Sequence, residues 1–419
     1  MTTSPGTRQE TAAPAPRTSR LFMPFYLLAF AGLMATTATP VAVTLALRAQ
    51  QLYGEEKTAV LATTLAIGTV FASVAQPLGG WLSDRTVSRW GRRRPWLVLG
   101  LLGGVAGLLV IALVPERWGM VLGWSIASLF LNLAFSALFA VLADQVPPDR
   151  RGRVSGWIGV ALQAGLSAGT WGAVWLGNQP VALFLGPAAF AVLTTAALLV
   201  VLPDRSAGPG TRAPAGGVPW RERLAQLARY RDFGFVWAGR FLLLTGYYIF
   251  FNFQLYTLTD HLGVTVAVAT SVVALNSTLS AVLKLVVAPL AGWLSDRLGR
   301  RRVLVGCSAA LFAVSMLLIA LAQDVTTFVL GASVGFVAYG VFLAVDLALA
   351  TEVLPEGDAH GGFGLGLYNV AGTVSQSLAP VVAVSVLAAS GDSYPLLYTV
   401  AAGLVAAAVV TVMFVRSVR

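Results

Sequence analysis

The chain has 419 residues, of which 57% are apolar and only 11% are Asp, Glu, Lys or Arg. Soluble domains usually carry about 25% charged residues, so this composition favours a protein embedded in lipid. The net charge of +10 would suit a nucleic-acid partner only on a soluble fold with a basic patch, and we expect no such partner here. The single cysteine, Cys307, excludes an internal disulfide.

Twelve apolar stretches predict an all-α membrane protein with twelve transmembrane helices. Residues 1–20, which precede them, are rich in Pro, Thr, Ala and Arg and are predicted to be a disordered cytoplasmic N-terminus. A spanning helix needs about 20 apolar residues. The stretches lie near 22–47, 58–82, 96–114, 119–143, 154–177, 181–202, 234–258, 266–290, 303–321, 326–350, 362–388 and 395–415.

Most of the basic residues lie in segments predicted to be on one side of the membrane. With the N-terminus inside, the inner segments hold 23 of the 28 Lys and Arg, while the outer loops hold Arg48, Lys57 and Arg117. Inner loops of membrane proteins carry an excess of Lys and Arg. The pattern therefore predicts a multi-pass protein of the cell (inner) membrane with both termini in the cytoplasm.

An internal repeat divides the chain into two halves. The sequence PLGGWLSDR at 77–85 recurs as PLAGWLSDR at 289–297, and GRRR follows each copy at 91–94 and 299–302. Repeats of this kind build many transporter folds. We therefore predict two six-helix bundles with pseudo-symmetry, at 21–202 and 233–419.

The segment 203–232 is predicted to be a cytoplasmic linker. It begins with a Pro/Gly-rich stretch at 203–219, and 220–231 (WRERLAQLARYR) places apolar residues on one helical face and arginines on another. Such a helix can lie on the anionic lipid of the inner leaflet. A merely solvated basic linker remains the alternative.

Polar residues at helical spacing predict a central cavity. Stretches three, six, nine and twelve are nearly all apolar, as expected of helices that face lipid. The other eight are expected to ring a polar cavity, because polar faces within lipid turn towards a bundle interior or water. The clearest polar faces are Thr69, Ser73 and Gln76; Asn132 and Ser136; Gln163, Ser167 and Thr170; Ser277, Ser280 and Lys284; and Asn369, Thr373 and Gln376.

The doubled motif, G-x-L-S-D-R followed by G-R-R-R, resembles the signature of the major facilitator superfamily. The resemblance covers about 20–415 and implies the major facilitator fold. It also implies a latch at the inner side, in which Asp84 and Asp296 are the acids. That these charges only fix topology remains the alternative. The gating residues implied are Asp84, Arg85, Arg94, Asp144, Arg151, Asp296, Arg297 and Arg302.

Within that superfamily, QPLGGWLSDRTVSRWGRRRPW at 76–96 resembles the glycoside and sucrose cation-symporter group. This resemblance implies proton-coupled uptake of a sugar or glycoside. The cation-coupling members carry two Asp residues in helix two, where this chain has Ala72 and Gln76. We therefore expect no sodium site. The Gly-rich spacing of Gly165, Gly169 and Gly172 keeps a proton-coupled drug or metabolite exporter open as the alternative.

Three ionisable residues fall within predicted helices: Arg240, Lys284 and Asp346. Such residues are costly in lipid and are functional candidates by default. Asp346 is the candidate proton carrier, or else a fixed structural partner of Arg240 or Lys284. The candidate substrate-cavity residues are Gln76, Asn132, Gln163, Trp171, Tyr247, Gln254, Asn276, Tyr339, Asn369 and Gln376.

These features predict alternating-access transport of a small organic solute. An enzyme is disfavoured because no H-E-x-x-H sequence occurs, and His261 and His360 have no ligand cluster beside them. We expect no cofactor and no metal. The expected partners are a small-molecule substrate, protons and membrane lipids, including anionic lipid at the inner leaflet, and the expected state is a monomer.

Overall fold

The computed structural model describes residues 21–177, 179–203, 230–353 and 362–415, and within these ranges the regular structure is entirely helical. The predicted disorder of 1–20, most of the linker and His360 lie outside the described residues. Helix α1 runs through Phe22–Thr39, a π-helical turn Pro40–Thr44 and Leu45–Tyr53. The others are α2 (Lys57–Arg85), α3 (Arg94–Leu113), α4 (Arg117–Gln145), α5 (Pro148–Leu176), α6 (Pro180–Val201), α7 (Arg231–Tyr256), α8 (Val266–Leu298), α9 (Arg301–Ala320), α10 (Val325–Val353), α11 (Gly362–Ser390) and α12 (Tyr394–Met413).

Each of the twelve predicted stretches corresponds to one helix, which confirms the predicted fold class. Ten stretches of the described chain are apolar and long enough to span a membrane, and the first of them, Phe22–Arg85, contains both α1 and α2. Helix α5 has the length of its neighbours but is not among the ten apolar stretches. Its many glycines and its arginines lower its hydropathy.

Helix α1 continues through Pro40, as the stretch 22–47 predicted, and extends beyond that stretch to Tyr53. A proline inside a helix removes one backbone hydrogen bond and usually kinks or breaks it. Here the chain widens into a π-helical turn, closed by the Leu45 N–H donating to the Pro40 carbonyl, and then continues. Arg48, expected in an outer loop, is consequently buried within α1 and donates to the carbonyls of Ile111 and Ala112 at the end of α3.

The helices pack in the same pattern in each half. Helix α1 packs on α5 and α6, α2 on α4, and α3 on α4; correspondingly, α7 packs on α11 and α12, α8 on α10, and α9 on α10. The halves meet where α2 packs on α11 and α5 on α8. The apolar helices α3, α6, α9 and α12 make their main contacts within their own half, which leaves their outer faces for lipid.

The Gly-rich spacing in α5 has a packing explanation. A Cβ at Gly165 would lie 2.2 Å from the Ala31 carbonyl oxygen, and one at Gly169 would lie 2.0 Å from Thr39 Oγ1, whereas nothing approaches Gly172. Two of these glycines therefore allow α5 to pack closely on α1. Residues 165–169 also read G-x-S-x-G, but they lie in the middle of a helix and not on the strand-to-helix turn that this pattern needs in hydrolases.

Candidate functional site

One end of the molecule, which we call the motif end, carries the repeated basic motif. In the N-terminal half, Arg93 is the centre of an ion-pair cluster. Its guanidinium lies 2.7 Å from Asp84 Oδ1 and 2.8 Å from Asp144 Oδ2, and it donates to Ser83 Oγ over 2.6 Å. Burial of the guanidinium disfavours its charge, but the bonds to Asp144 and Asp84 outweigh this effect and hold the pKa of Arg93 above its ordinary value.

The C-terminal half repeats this cluster in more open form. Arg301 occupies the motif position of Arg93, and its guanidinium lies 2.7 Å from Glu352 Oε1 and 3.7 Å from Asp296 Oδ1. The Arg301 side chain is 25% exposed, against 5% for Arg93. Surface ion pairs contribute little to stability. The second cluster therefore holds its half together less firmly than the first.

The last arginine of each motif copy makes the same kind of contact in both halves. Arg94, at the start of α3, donates to the Leu202 carbonyl at the end of α6, and Arg302, at the start of α9, donates to the Val415 carbonyl just after α12. Each of these arginines therefore ties the start of one helix to the last turn of another. Cations at a helix C-terminus are favoured by the helix dipole.

The predicted latch partners differ from those observed. Asp84 pairs with Arg93 and Asp296 with Arg301, where the resemblance implied Arg85, Arg94, Arg297 and Arg302. Since Arg85 and Arg297 directly follow their acids on the helix, they point elsewhere, and their guanidinium groups lie 4.1 Å from the Trp81 ring and 5.3 Å from the Trp293 ring. Arg151 donates to the carbonyls of Ala143 and Val146.

Polar contacts between the halves lie towards the opposite end, where α1 ends, α2 begins and α7 ends. Lys57 Nζ of α2 lies 2.8 Å from Asp260 Oδ1, just after α7, and Tyr394 donates to the other oxygen of Asp260 over 2.9 Å. The Tyr256 hydroxyl donates to the Ala46 carbonyl over 2.9 Å. We call the Lys57–Asp260–Tyr394 group the cross-half ion pair.

Helices α5 and α8 add two further contacts between the halves. Thr170 Oγ1 lies 2.7 Å from Ser277 Oγ, and Trp171 Nε1 donates to Thr278 Oγ1 over 3.0 Å. Towards the motif end, the ion pairs of Arg93 and Arg301 each stay within one half. The polar contacts between the halves that the described residues make therefore lie towards the opposite end, and the ion pairs of the motif end do not cross between the halves.

A cavity of about 290 Å³ lies between the halves. Its wall residues near the opposite end are buried, with Trp124 only 3% exposed, whereas Phe139, nearer the motif end, is 48% exposed. The cavity is thus closed at one end and open towards the other. Its lining comes from α1, α2, α4, α5, α7 and α11: Met34, Thr37, Val41, Leu65, Thr69, Ala72, Ser73, Gln76, Trp124, Ser128, Asn132, Phe135, Phe139, Leu162, Asn252, Thr373 and Gln376.

The cavity wall carries amide groups that can bind a polar ligand. Gln76 donates to Asn132 Oδ1 over 3.1 Å, and Asn132 donates to the Ser128 carbonyl over 2.8 Å. Asn252 is only 2% exposed, and its Oδ1 has no hydrogen-bond partner. Leaving a buried acceptor unpaired costs about 1–3 kcal/mol. A ligand donor at this oxygen would remove that cost.

The ionisable residues within the spanning parts of the C-terminal helices form two groups. Asp346 is buried and accepts hydrogen bonds from Arg240 and from the Tyr368 hydroxyl, and the Arg240 guanidinium also lies 4.4 Å from the Tyr368 ring. Lys284 Nζ lies 4.8 Å from the centre of the Tyr339 ring and 5.7 Å from that of Tyr247. Of the two partners open to Asp346 in the sequence, the structure pairs it with Arg240.

The remaining candidate residues are distributed over three places. Gln76, Asn132 and Gln376 lie on the cavity wall. Trp171 joins the halves, and Tyr247 stacks on Tyr339 at 4.1 Å within the C-terminal half. Away from the cavity wall, Asn276 donates to Gln254, Arg240 donates to Asn369 over 3.5 Å, and Gln163 has an amide nitrogen without a hydrogen-bond partner.

Several site residues were missed from the sequence. Asn252 is an amide inside predicted helix seven, and that position alone was a signal. Tyr368 precedes Asn369, which was chosen for its polar spacing. Lys57 was counted only as an outer-loop cation, and its pairing with Asp260 joins residues 203 positions apart. Within the described ranges, no group of three His, Cys, Asp or Glu side chains is placed to hold a metal ion.

Comparison with curated proteins finds partial similarity to two symporters. The chain is 31% identical over 88 residues to an uncharacterized symporter, sll1374, of Synechocystis sp., covering 19% of this chain and 16% of that protein. It is 38% identical over 66 residues to the arabinose-proton symporter of Bacillus subtilis, covering 16% of this chain and 14% of that protein. The chain thus matches less than a fifth of either relative's length.

The fold is shared over nearly the whole chain with solved structures. A mutant of the nucleoside transporter NupG superposes with a TM-score of 0.75 and 14% identity, covering 93% of this chain and 99% of that one. A bacterial homolog of the human lysosomal transporter Spinster, in an inward-facing and unoccupied conformation, gives a TM-score of 0.63 with 15% identity and 94% coverage of both chains.

The sequence profile of one family matches both halves, at residues 25–275 and 236–419. The twelve helices, the repeated packing and the cavity between the halves agree with that match. The chain belongs to the Major Facilitator Superfamily.

Proposed function

We propose that this protein is a secondary active transporter that moves a sugar or glycoside across the cytoplasmic membrane by proton-coupled symport. The observation that carries the proposal is the cavity between the halves, closed at one end and open at the other. Its volume of about 290 Å³ is near the lower end of the range of about 300–1,000 Å³ for small-molecule sites. Alternating access follows if the closed end opens when the motif end closes.

The cavity wall supports a hydroxylated substrate. Gln76, Asn132 and Asn252 present amide groups, which both donate and accept hydrogen bonds. The partial similarity to an arabinose-proton symporter points to the same substrate class. Within the spanning helices the Asp346 carboxylate, held by Arg240 and Tyr368, is the group proposed to carry the coupled proton.

We further propose that both termini lie in the cytoplasm, as the distribution of basic residues predicts. The motif end is then cytoplasmic, so the cavity opens inwards in this structure. The ion-pair clusters around Arg93 and Arg301 would accordingly belong to the inner gate. The cross-half ion pair would belong to the outer gate.

The apolar part of the same wall supports a second candidate, export of an amphipathic metabolite or drug. Met34, Trp124, Phe135 and Phe139 belong to the lining, and aromatic and thioether side chains adapt to apolar ligands. A nucleoside, with one apolar ring and one sugar, would use both parts of the wall. The transporter NupG, which shares the fold, is described as a nucleoside transporter.

Uptake by proteoliposomes decides between these candidates. Labelled arabinose, glucose, a glycoside and a nucleoside would be compared with and without an inward pH gradient. Accumulation of a sugar above equilibrium only with the gradient supports the proposal. Accumulation driven by an opposite gradient, or of the nucleoside alone, would replace symport of sugars with the second candidate.

A further inference from the structure

Lys284 lies on the same face of α8 as a residue that contacts the other half, and its ammonium group lies over two tyrosine rings of its own half. On α8, Ser277, Ser280 and Lys284 are separated by three and four residues and therefore share a face. Ser277 contacts Thr170 of the other half, so this face looks across the interface. Lys284 lies about 10 Å further along the helix, towards the motif end, where the residue is partly exposed and lies outside the lining of the cavity described above.

No carboxylate neutralises this lysine among the described residues. The acid in the spanning part of the C-terminal half is Asp346, and its two oxygens are bound by Arg240 and Tyr368. Lys284 instead lies over the rings of Tyr339 and Tyr247. Ring faces attract a cation, by about 0.5–2 kcal/mol, but do not cancel its charge.

The interior of the membrane region therefore carries an excess positive charge. In the C-terminal half, the two cations Arg240 and Lys284 are matched by one carboxylate, that of Asp346. In the N-terminal half, the acids lie only near the ends of the spanning helices. Arg48, a further buried cation, lies at the opposite end and is bonded to two carbonyls. An unpaired charge that loses water when a site closes is costly.

We propose that Lys284 is the binding site for the carboxylate of an anionic substrate, a sugar acid or a similar hydroxylated carboxylic acid. The inference rests on the proposed transport function and narrows its substrate class. The substrate carboxylate would supply the second negative charge that balances the two cations of α7 and α8. The hydroxyl groups of the neighbouring Tyr247 and Tyr339 would bind its second oxygen. A neutral sugar would leave the ammonium group without a counter-ion when the motif end closes.

Matched pairs of probes test this directly. Calorimetry on the purified protein would compare D-glucuronate with D-glucose and D-galacturonate with D-galactose, which differ by a carboxylate in place of a hydroxymethyl group. Each acid is expected to bind at least about tenfold more tightly than its neutral partner. Lys284→Gln is expected to weaken acid binding by about tenfold or more and neutral binding by less than about twofold.

The control variant is Arg117→Gln, which removes an exposed cation at the opposite end and is expected to leave all four affinities unchanged. Equal or tighter binding of the neutral sugars by the unmodified protein would overturn the anion site and leave sugar transport standing. Failure of all four probes to bind would overturn both. Because the first comparison needs no variant, the result stands even if Lys284→Gln fails to fold.

Discussion

At the scale of single residues, Asp346 has the strongest claim to a role in energy coupling. It is 3% exposed, it is paired with Arg240, and it accepts a hydrogen bond from the Tyr368 hydroxyl. A carboxylate that exchanges one buried cation for a proton can link protonation to movement of the helices that carry the pair. Here those helices are α7, α10 and α11, which all lie in one half.

We expect Asp346→Asn to abolish accumulation of substrate driven by a pH gradient while substrate binding stays measurable. The amide keeps the shape of the carboxylate but can neither carry the proton nor neutralise Arg240. Accumulation in proteoliposomes and binding by calorimetry would be measured together. The control is the double variant Asp346→Asn/Arg240→Gln: recovered folding without recovered accumulation supports coupling, whereas recovered accumulation would show a purely structural pair.

Some of these residues could be predicted from sequence and some could not. The polar spacing on α2, α4 and α11 led to Gln76, Asn132 and Gln376, because helical periodicity determines which side chains share a face. It could not decide whether Asp346 pairs with Arg240 or Lys284, since that depends on how α7 and α8 are rotated against α10. Asn252 was missed because it follows no polar spacing.

At the scale of helices and loops, the two motif clusters provide a matched comparison. Arg93 is buried between Asp84 and Asp144, whereas Arg301 has more exposed partners. Lysine keeps the charge but cannot reproduce the planar, forked hydrogen bonding of arginine. Both copies of the motif were visible in the sequence. Which arginine of each copy pairs with the acids could not be predicted, because that depends on the conformation of the turn before α3.

We therefore expect Arg93→Lys to lower the thermal unfolding midpoint and the transport rate more than Arg301→Lys does. Hydrogen bonds to charged groups contribute about 1.5–3 kcal/mol, and lysine at position 93 loses part of this in a buried cluster, whereas exposed ion pairs contribute only about 0–1 kcal/mol. Unfolding in detergent and initial uptake rates are the measurements. A larger effect at Arg301 would contradict the difference in burial described above.

The cross-half ion pair permits a test of gating by charge reversal. Lys57→Glu and Asp260→Lys are each expected to open the closed end of the cavity more often, since each places like charges together, and the double reversal is expected to restore closure. The measurement is labelling of Thr69→Cys, on the buried part of the cavity wall, by an impermeant maleimide in a Cys307→Ser background.

The matched control for charge reversal is the pair Arg117 and Glu56. It lies at the same end, but both residues belong to the N-terminal half and are more than half exposed. Reversing this pair is expected to leave labelling at position 69 unchanged. Equal labelling in the Lys57 and Asp260 single variants and the unmodified protein would exclude a gating role for the cross-half ion pair.

At the scale of the whole molecule, the orientation in the membrane decides what each end does. The positive-inside pattern was readable from sequence because charge follows topology. The loop between α1 and α2, predicted to be an outer one, is shorter than the sequence indicated, because α1 continues to Tyr53 and leaves only Gly54–Glu56 between the helices. Labelling experiments must therefore use this short turn.

We expect cysteines placed at Gly54–Glu56 to be labelled only from outside intact cells and cysteines placed in 203–219 only from the cytoplasm. The physical reason is the retention of Arg-rich segments on the inner side. Impermeant maleimide, added before and after lysis in a Cys307→Ser background, distinguishes the two. Reversed labelling would place the motif end outside and make this structure open outwards.

The small number of polar contacts between the halves has a thermodynamic consequence. The Lys57–Asp260 pair and the hydrogen bonds of Tyr256, Thr170 and Trp171 together contribute about 2–5 kcal/mol by the usual increments. A ligand that binds only one of the two states stabilises that state by RT ln(1 + [L]/Kd), which is about 2.7 kcal/mol when its concentration is about a hundredfold above Kd. A solute that binds one state only, at a concentration well above its Kd, therefore contributes about as much as these polar contacts among the described residues, so its concentration can shift the balance between the two states.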